Sequence, residues 1–151
     1  MPSGKRSAVL GPGLSEVSSA ECDQHYGGNI EHPLVLVVDH DPVYVSVTAS
    51  TLLDAGFKAL TATTAQEAMQ HFKVAKPDIV LLDYLIPDET GLELLRHIKE
   101  SCPELPVVIV TSLWDKDAAA EARAAGAVDY IVKPVSADTL QVEILARLIE
   151  H

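Results

Sequence analysis

The stretch Leu34-Val-Leu-Val-Val38 runs without interruption into Asp39-His40-Asp41-Pro42. Five aliphatic residues in a row lack the alternation of a strand with one wet face, so both faces of this segment are expected to be covered. Two other runs have the same form: Ile79–Leu82 gives way to Asp83, and Val107–Val110 to Thr111-Ser112. Weaker strand candidates are Lys58–Thr61 and Tyr130–Val132, the latter followed by Lys133-Pro134.

Helix signals fill the gaps between these runs. Thr64-Ala-Gln-Glu67 and Thr90-Gly-Leu-Glu93 both have capping-box spacing, in which side chains satisfy free amide groups at a helix start. Asp115 and Ser136 can serve as single N-caps. Gly56 and Gly126 stand where helices should stop, and Leu140, Ile144, Leu145 and Leu148 recur at helical spacing. Strands alternating with helices give repeated βαβ units. The expected fold class is therefore α/β: an open, doubly wound parallel sheet of five strands with five helices, in the flavodoxin-like order 2-1-3-4-5 with right-handed crossovers.

Composition agrees with one ordinary domain: 151 residues, 48% hydrophobic. Residues 1–32, with Gly4, Gly11, Gly13, Gly27 and Gly28 and no sustained apolar period, are expected to be a mostly disordered leader ahead of a domain over 33–151. Lys5 and Arg6 precede an apolar stretch that Gly11-Pro12-Gly13 cuts too short for a signal peptide, so a cytoplasmic location is expected. Eleven basic against 22 acidic residues give 11 − 22 = −11, and with no basic cluster this excludes nucleic acid as a partner. No aliphatic run approaches the length of a membrane span, so a soluble protein without membrane contact is expected. Cys22 and Cys102 fit neither a disulfide framework nor a metal spacing, and are expected to be free thiols.

In an open α/β sheet, ligands bind outside the carboxyl ends of the strands, beside strand one where the strand order switches. There Asp39, His40, Asp41, Asp83, Thr111 and Lys133 should converge. Carboxylates brought together are stable only with a cation between them or a proton on one of them, and oxygen ligands favour a hard ion such as Mg²⁺. A lysine and a hydroxyl beside them would stabilise a phosphoryl group arriving on an aspartate nucleophile.

These residues resemble the response-regulator receiver domain of two-component signalling, over about residues 33 to 150. The resemblance lies in Val37-Val38-Asp39-His40-Asp41-Pro42, in Leu81-Leu82-Asp83-Tyr84-Leu85-Ile86-Pro87 followed by Gly91-Leu92-Glu93-Leu94-Leu95, in Val110-Thr111-Ser112, and in Gly126-Ala-Val-Asp-Tyr130-Ile-Val-Lys133-Pro134. It implies that Asp83 is the phosphoacceptor and that Thr111 and Lys133 bind the phosphoryl group. Asp39, Asp83 and the backbone carbonyl of Leu85 would hold Mg²⁺, and Thr111 and Tyr130 would form the activation switch. It further implies a signalling protein rather than an enzyme. As a single-domain regulator, the chain would accept its phosphoryl group from a histidine kinase or histidine phosphotransfer protein. It would then signal to a protein partner through the fourth helix, fifth strand and fifth helix.

The chain departs from the family after strand one, where receivers carry two adjacent acids and this sequence has Asp39 then His40. An imidazole suits Zn²⁺ or Mn²⁺ better than Mg²⁺. His40 is open to three readings: metal ligand, lost ligand, or solvated loop histidine. Strand alternation puts Asp39 and Asp41 on one side and His40 on the other, so Asp41 is expected to replace the missing acid. Leu85 and Leu113, each two residues beyond a motif residue, should hinder water and lengthen an aspartyl-phosphate lifetime. Trp114 stands next to Leu113 as a candidate partner contact. Two alternatives remain. One is a pseudo-receiver that is not phosphorylated and acts as a protein-binding module. The other is a haloacid-dehalogenase-type phosphatase, which Asp39-x-Asp41 also resembles, with Thr111 and Lys133 downstream.

Overall fold

The computed structural model describes residues 32–149, with five strands and five helices in strict alternation. The strands are β1 (Leu34–Val38), β2 (Lys58–Ala62), β3 (Ile79–Leu82), β4 (Val107–Thr111) and β5 (Asp129–Val132); the helices are α1 (Pro42–Asp54), α2 (Ala65–Val74), α3 (Gly91–Ser101), α4 (Lys116–Ala124) and α5 (Ala137–Ile149). All pairings are parallel and the sheet order is β2-β1-β3-β4-β5. The fold class and strand order read from the sequence are those observed.

Every residue of β3 and β4 is buried, as unbroken aliphatic runs between two helical layers require. The core is split by the sheet. On one side Leu36, Val80, Leu82 and Ile109 pack with Phe72 of α2, Leu94, Leu95 and Ile98 of α3, and Ala118, Ala119 and Ala122 of α4. On the other, Val35, Val37, Leu81, Val108 and Val110 pack with Val45 and Leu52 of α1 and Leu140 and Ile144 of α5. Leu148 joins this second side, whereas Leu145, grouped with these residues by spacing alone, is 45% exposed.

The helix signals hold with one shift. Thr90 and Glu93 form a complete capping box at α3. At α2 the Thr64 side chain accepts from the Glu67 amide, but Glu67 reaches back to the amide of Thr63 (2.9 Å), one residue before the cap. Asp115 caps α4, and the Ser136 hydroxyl accepts from the Thr139 amide at the start of α5. Gly56 and Gly126 end their helices at φ +98° and +113°, where other residues are strained.

The leader falls, except for His32, outside the described residues, as does Cys22. Cys102 is not a free thiol: it is disulfide-bonded. Among the described residues no helix is long and apolar enough to cross a membrane.

Candidate functional site

The strand register delivers the site. β1 and β3 pair Val38 with Leu82, and one further backbone bond runs past the strand ends, from the Asp83 amide to the Val38 carbonyl (2.8 Å). The Asp39 amide likewise donates to the Ala62 carbonyl (3.1 Å), and the Lys133 amide to the Thr111 carbonyl (2.9 Å). The first polar residue after each run is thus still held by the sheet. Asp39 and Asp83 are each 1% exposed and Thr111 is fully buried.

Lys133 joins the two acids: its ammonium donates to Asp39 Oδ2 and lies 3.7 Å from Asp83 Oδ2. Burial pushes the Asp39 carboxyl above its ordinary range despite that hydrogen bond, with the Asp83 charge adding to the rise. For Lys133 burial works the other way, but its bond to Asp39 and the charges of both acids outweigh it and hold the ammonium above its usual value. Two carboxylates and one lysine leave a negative charge uncompensated in a buried place, which fits a cation.

His40 turns into this cluster. Its Nδ1 lies 3.0 Å from Asp83 Oδ2, 3.5 Å from Asp39 Oδ1 and 3.2 Å from the Leu85 carbonyl. Carboxylate and carbonyl both only accept, so Nδ1 carries the hydrogen in this arrangement. Asp39, His40 and Asp83 offer ligand atoms within 4.8 Å of one another, a spacing that a metal ion can span.

Asp41 does the opposite of what alternation predicts. Its carboxylate caps α1, accepting from the amides of Val43 (2.9 Å) and Tyr44 (3.4 Å), while its own amide donates to Asp39 Oδ1 (2.9 Å). The strand stops at Val38, so the period-2 rule no longer applies; a helix start three residues on claims the carboxylate instead. This removes Asp41 as a substitute metal ligand and leaves the phosphatase reading without its acid/base residue.

The loop after β3 is tightly fixed. Asp83 Oδ1 accepts from the Leu85 amide (3.2 Å) and the Gly91 amide donates to the Tyr84 carbonyl (2.8 Å). A Cβ on Gly91 would lie 2.4 Å from the Asp83 carbonyl oxygen and 2.7 Å from Tyr84 Cα, so only glycine fits there. Asp88 reaches across to α2, accepting from the amides of Ala65 (2.8 Å) and Gln66 (3.0 Å). At the end of β4, Thr111 Oγ1 accepts from the Leu113 amide (3.2 Å), and Leu113 packs against the core beside α2, α3 and α4. Tyr130 is buried with its ring edge-on to Tyr84 and Trp114, centroids 6.5 and 6.4 Å away; Trp114 itself is 67% exposed.

Sequence reasoning missed Tyr44. Its ring lies under the Lys133 ammonium, 4.0 Å from nitrogen to centroid. It sits in the first turn of α1, a placement that becomes visible only once Pro42 is known to begin that helix.

This sheet, with buried acids at the ends of β1 and β3 and a lysine at the end of β5, defines a receiver. The chain belongs to the response regulator receiver domain family, whose model matches residues 35–145. It is 36% identical to the DNA-binding transcriptional regulator NtrC of Escherichia coli (strain K12) over 122 residues, 81% of this chain and 26% of that protein. A CheY-like receiver domain protein of Methanospirillum hungatei JF-1 superposes with a TM-score of 0.76 at 28% identity, covering 79% of this chain and 95% of that one. NtrX of Brucella abortus gives a TM-score of 0.75 at 33% identity, covering 79% of this chain and 28% of NtrX. The chain spans about a quarter of the length of the curated relatives it matches. Receiver domains are signalling modules that bind Mg²⁺ through acidic residues and interact with kinases and downstream partners.

Proposed function

We propose that the domain accepts a phosphoryl group on Asp83 from a histidine kinase or histidine phosphotransfer protein. The observation that carries this reading is the placement of a buried carboxylate, Asp83, within reach of both His40 Nδ1 and the Lys133 ammonium. An Asp83 carboxylate oxygen forms the new bond to phosphorus as the phosphorus–nitrogen bond of the donor breaks, and the leaving imidazole keeps the electron pair. Lys133 offsets charge on the phosphoryl oxygens, and Thr111, released from the Leu113 amide, donates its hydroxyl to them. Asp39, Asp83, the Leu85 carbonyl and His40 Nδ1, its hydrogen moved to Nε2, would hold a divalent ion, Mg²⁺ by family and Mn²⁺ by the chemistry of the imidazole. Such an ion would neutralise developing negative charge at the acceptor.

The signal then passes through the surface of α4, β5 and α5 to a protein partner, with Tyr130 and Thr111 as the switch; this takes place in the cytoplasm. The test is intact mass after incubation with acetyl phosphate and Mg²⁺, Mn²⁺ or EDTA. One metal-dependent phosphoryl group is expected on the native protein and none on Asp83→Asn. One observation favours a second reading, the unphosphorylated pseudo-receiver: an imidazole N–H already bridges Asp83 and the Leu85 carbonyl. No mass gain with any ion would favour it.

A further inference from the structure

Lys133 has a long, flexible stem and enters the site from β5, while the acids it serves stand on β1 and β3. Holding such a side chain in one pose costs rotamer entropy. The two carboxylates alone make an unreliable hold, because Asp83 loses its free carboxylate when it is esterified. Tyr44 is a platform that does not change in that step. Its amide is tied to the Asp41 cap at the start of α1, which fixes the first turn that carries the ring.

We propose that Tyr44 is a positioning residue for Lys133, its ring face holding the ammonium over the Asp39 and Asp83 pair before and after phosphoryl transfer. The inference rests on the phosphoacceptor reading of Asp83. The ammonium lies 4.0 Å from the ring centroid, well inside the roughly 6 Å over which an aromatic quadrupole attracts a cation. The lysine side chain is only 16% exposed, so little water screens the contact. The ring takes no part in the covalent step: the carboxylate oxygen of Asp83 bonds to phosphorus, the donor's phosphorus bond breaks with its electron pair, and Lys133 keeps its proton throughout. What the ring supplies is orientation, ready before the phosphoryl group arrives.

The experiment uses the full chain labelled with ¹³C-lysine, with the Lys133 ε-methylene assigned by its disappearance in Lys133→Met. In the native protein this resonance is expected upfield of the other lysines through the ring current of Tyr44. It should stay there in Tyr44→Phe and return to the ordinary position in Tyr44→Leu. Phosphorylation by acetyl phosphate should be near native in Tyr44→Phe and about fivefold slower in Tyr44→Leu, in line with loss of a partly desolvated cation–π contact. An unshifted native resonance overturns the placement. Equal slowing of the Phe and Leu variants overturns the role of the ring, because the phenol hydroxyl would then be what matters. Failure of the native protein to take a phosphoryl group with any ion overturns the acceptor reading and the rate effect with it, while the resonance still decides independently whether Tyr44 holds Lys133.

Discussion

The hydroxyl of Tyr130 donates to the carbonyl of Leu113 at 2.6 Å, while the Leu113 amide donates to the hydroxyl of Thr111 at 3.2 Å. One residue thus ties the β5 tyrosine to the β4 threonine. In Tyr130→Phe the first bond is lost and a half-buried carbonyl loses a partner. Stability should fall by about 1 kcal/mol, read as the urea midpoint of Trp114 fluorescence. An unchanged midpoint would show that the bond contributes nothing to the folded state.

Replacing His40 with aspartate adds a negative charge among Asp39, Asp83 and the Leu85 carbonyl. Calorimetric titration should show Mg²⁺ binding at least about tenfold tighter in His40→Asp than in the native protein, a difference of ~1.4 kcal/mol. The native protein should prefer Mn²⁺ over Mg²⁺ more strongly than the variant does. Equal Mg²⁺ affinity in the two proteins would remove His40 from any account of the site.

Asp88 holds the first turn of α2. Burial alone would raise its carboxyl, but the amides of Ala65 and Gln66 outweigh that and lower it below the ordinary 3.8. Between the lowered folded value and 3.8 the unfolded chain binds more protons, so stability rises with pH across that window. Asp88→Ala should cost about 1 kcal/mol at neutral pH, as for a lost helix cap. The gap between the two proteins should close as pH falls through the folded value of Asp88. A gap that stays constant from neutral pH down to acid would show that the charge on Asp88 is not involved.

Gly91→Ala places a methyl against the backbone of Asp83 and Tyr84, which cannot yield without moving the acceptor. A loss of about 1–3 kcal/mol is expected from overpacking, with amide shifts in ¹H–¹⁵N spectra concentrated in residues 83–92. A native-like spectrum would mean that the loop has more room than the structure shows.

Leu85 is 46% exposed beside the acceptor loop and offers no group to orient a water. The aspartyl phosphate should therefore persist for minutes or longer after the donor is removed, and Leu85→Asn should shorten that time. Decay of the native species within seconds would refute this.

The sheet was legible because its strands are continuous aliphatic runs that end in charged or hydroxyl residues; four motifs read in order pick out Asp39, Asp83, Thr111 and Lys133 at those ends. What stayed hidden lay where one kind of backbone gives way to another. The side chain of Asp41 could be read by strand alternation or by helix capping, and only the actual end of β1 at Val38 decides for capping. His40 turned inward for the same reason. Tyr44 and Asp88 act across the fold, on Lys133 and on α2, and no local pattern marks either pairing. Cys102 gave no signal, because a pair of distant cysteines has no spacing to interpret.

Residues 39 to 41 serve two structures at once, since Asp39 and His40 face the acidic cluster while Asp41 clamps the first turn of α1 and bonds back to Asp39. A tripeptide so short has no slack. Whatever pulls on the first two residues loads the third, so a change in occupancy of the cluster would be felt at the first turn of α1, a helix that packs against α5.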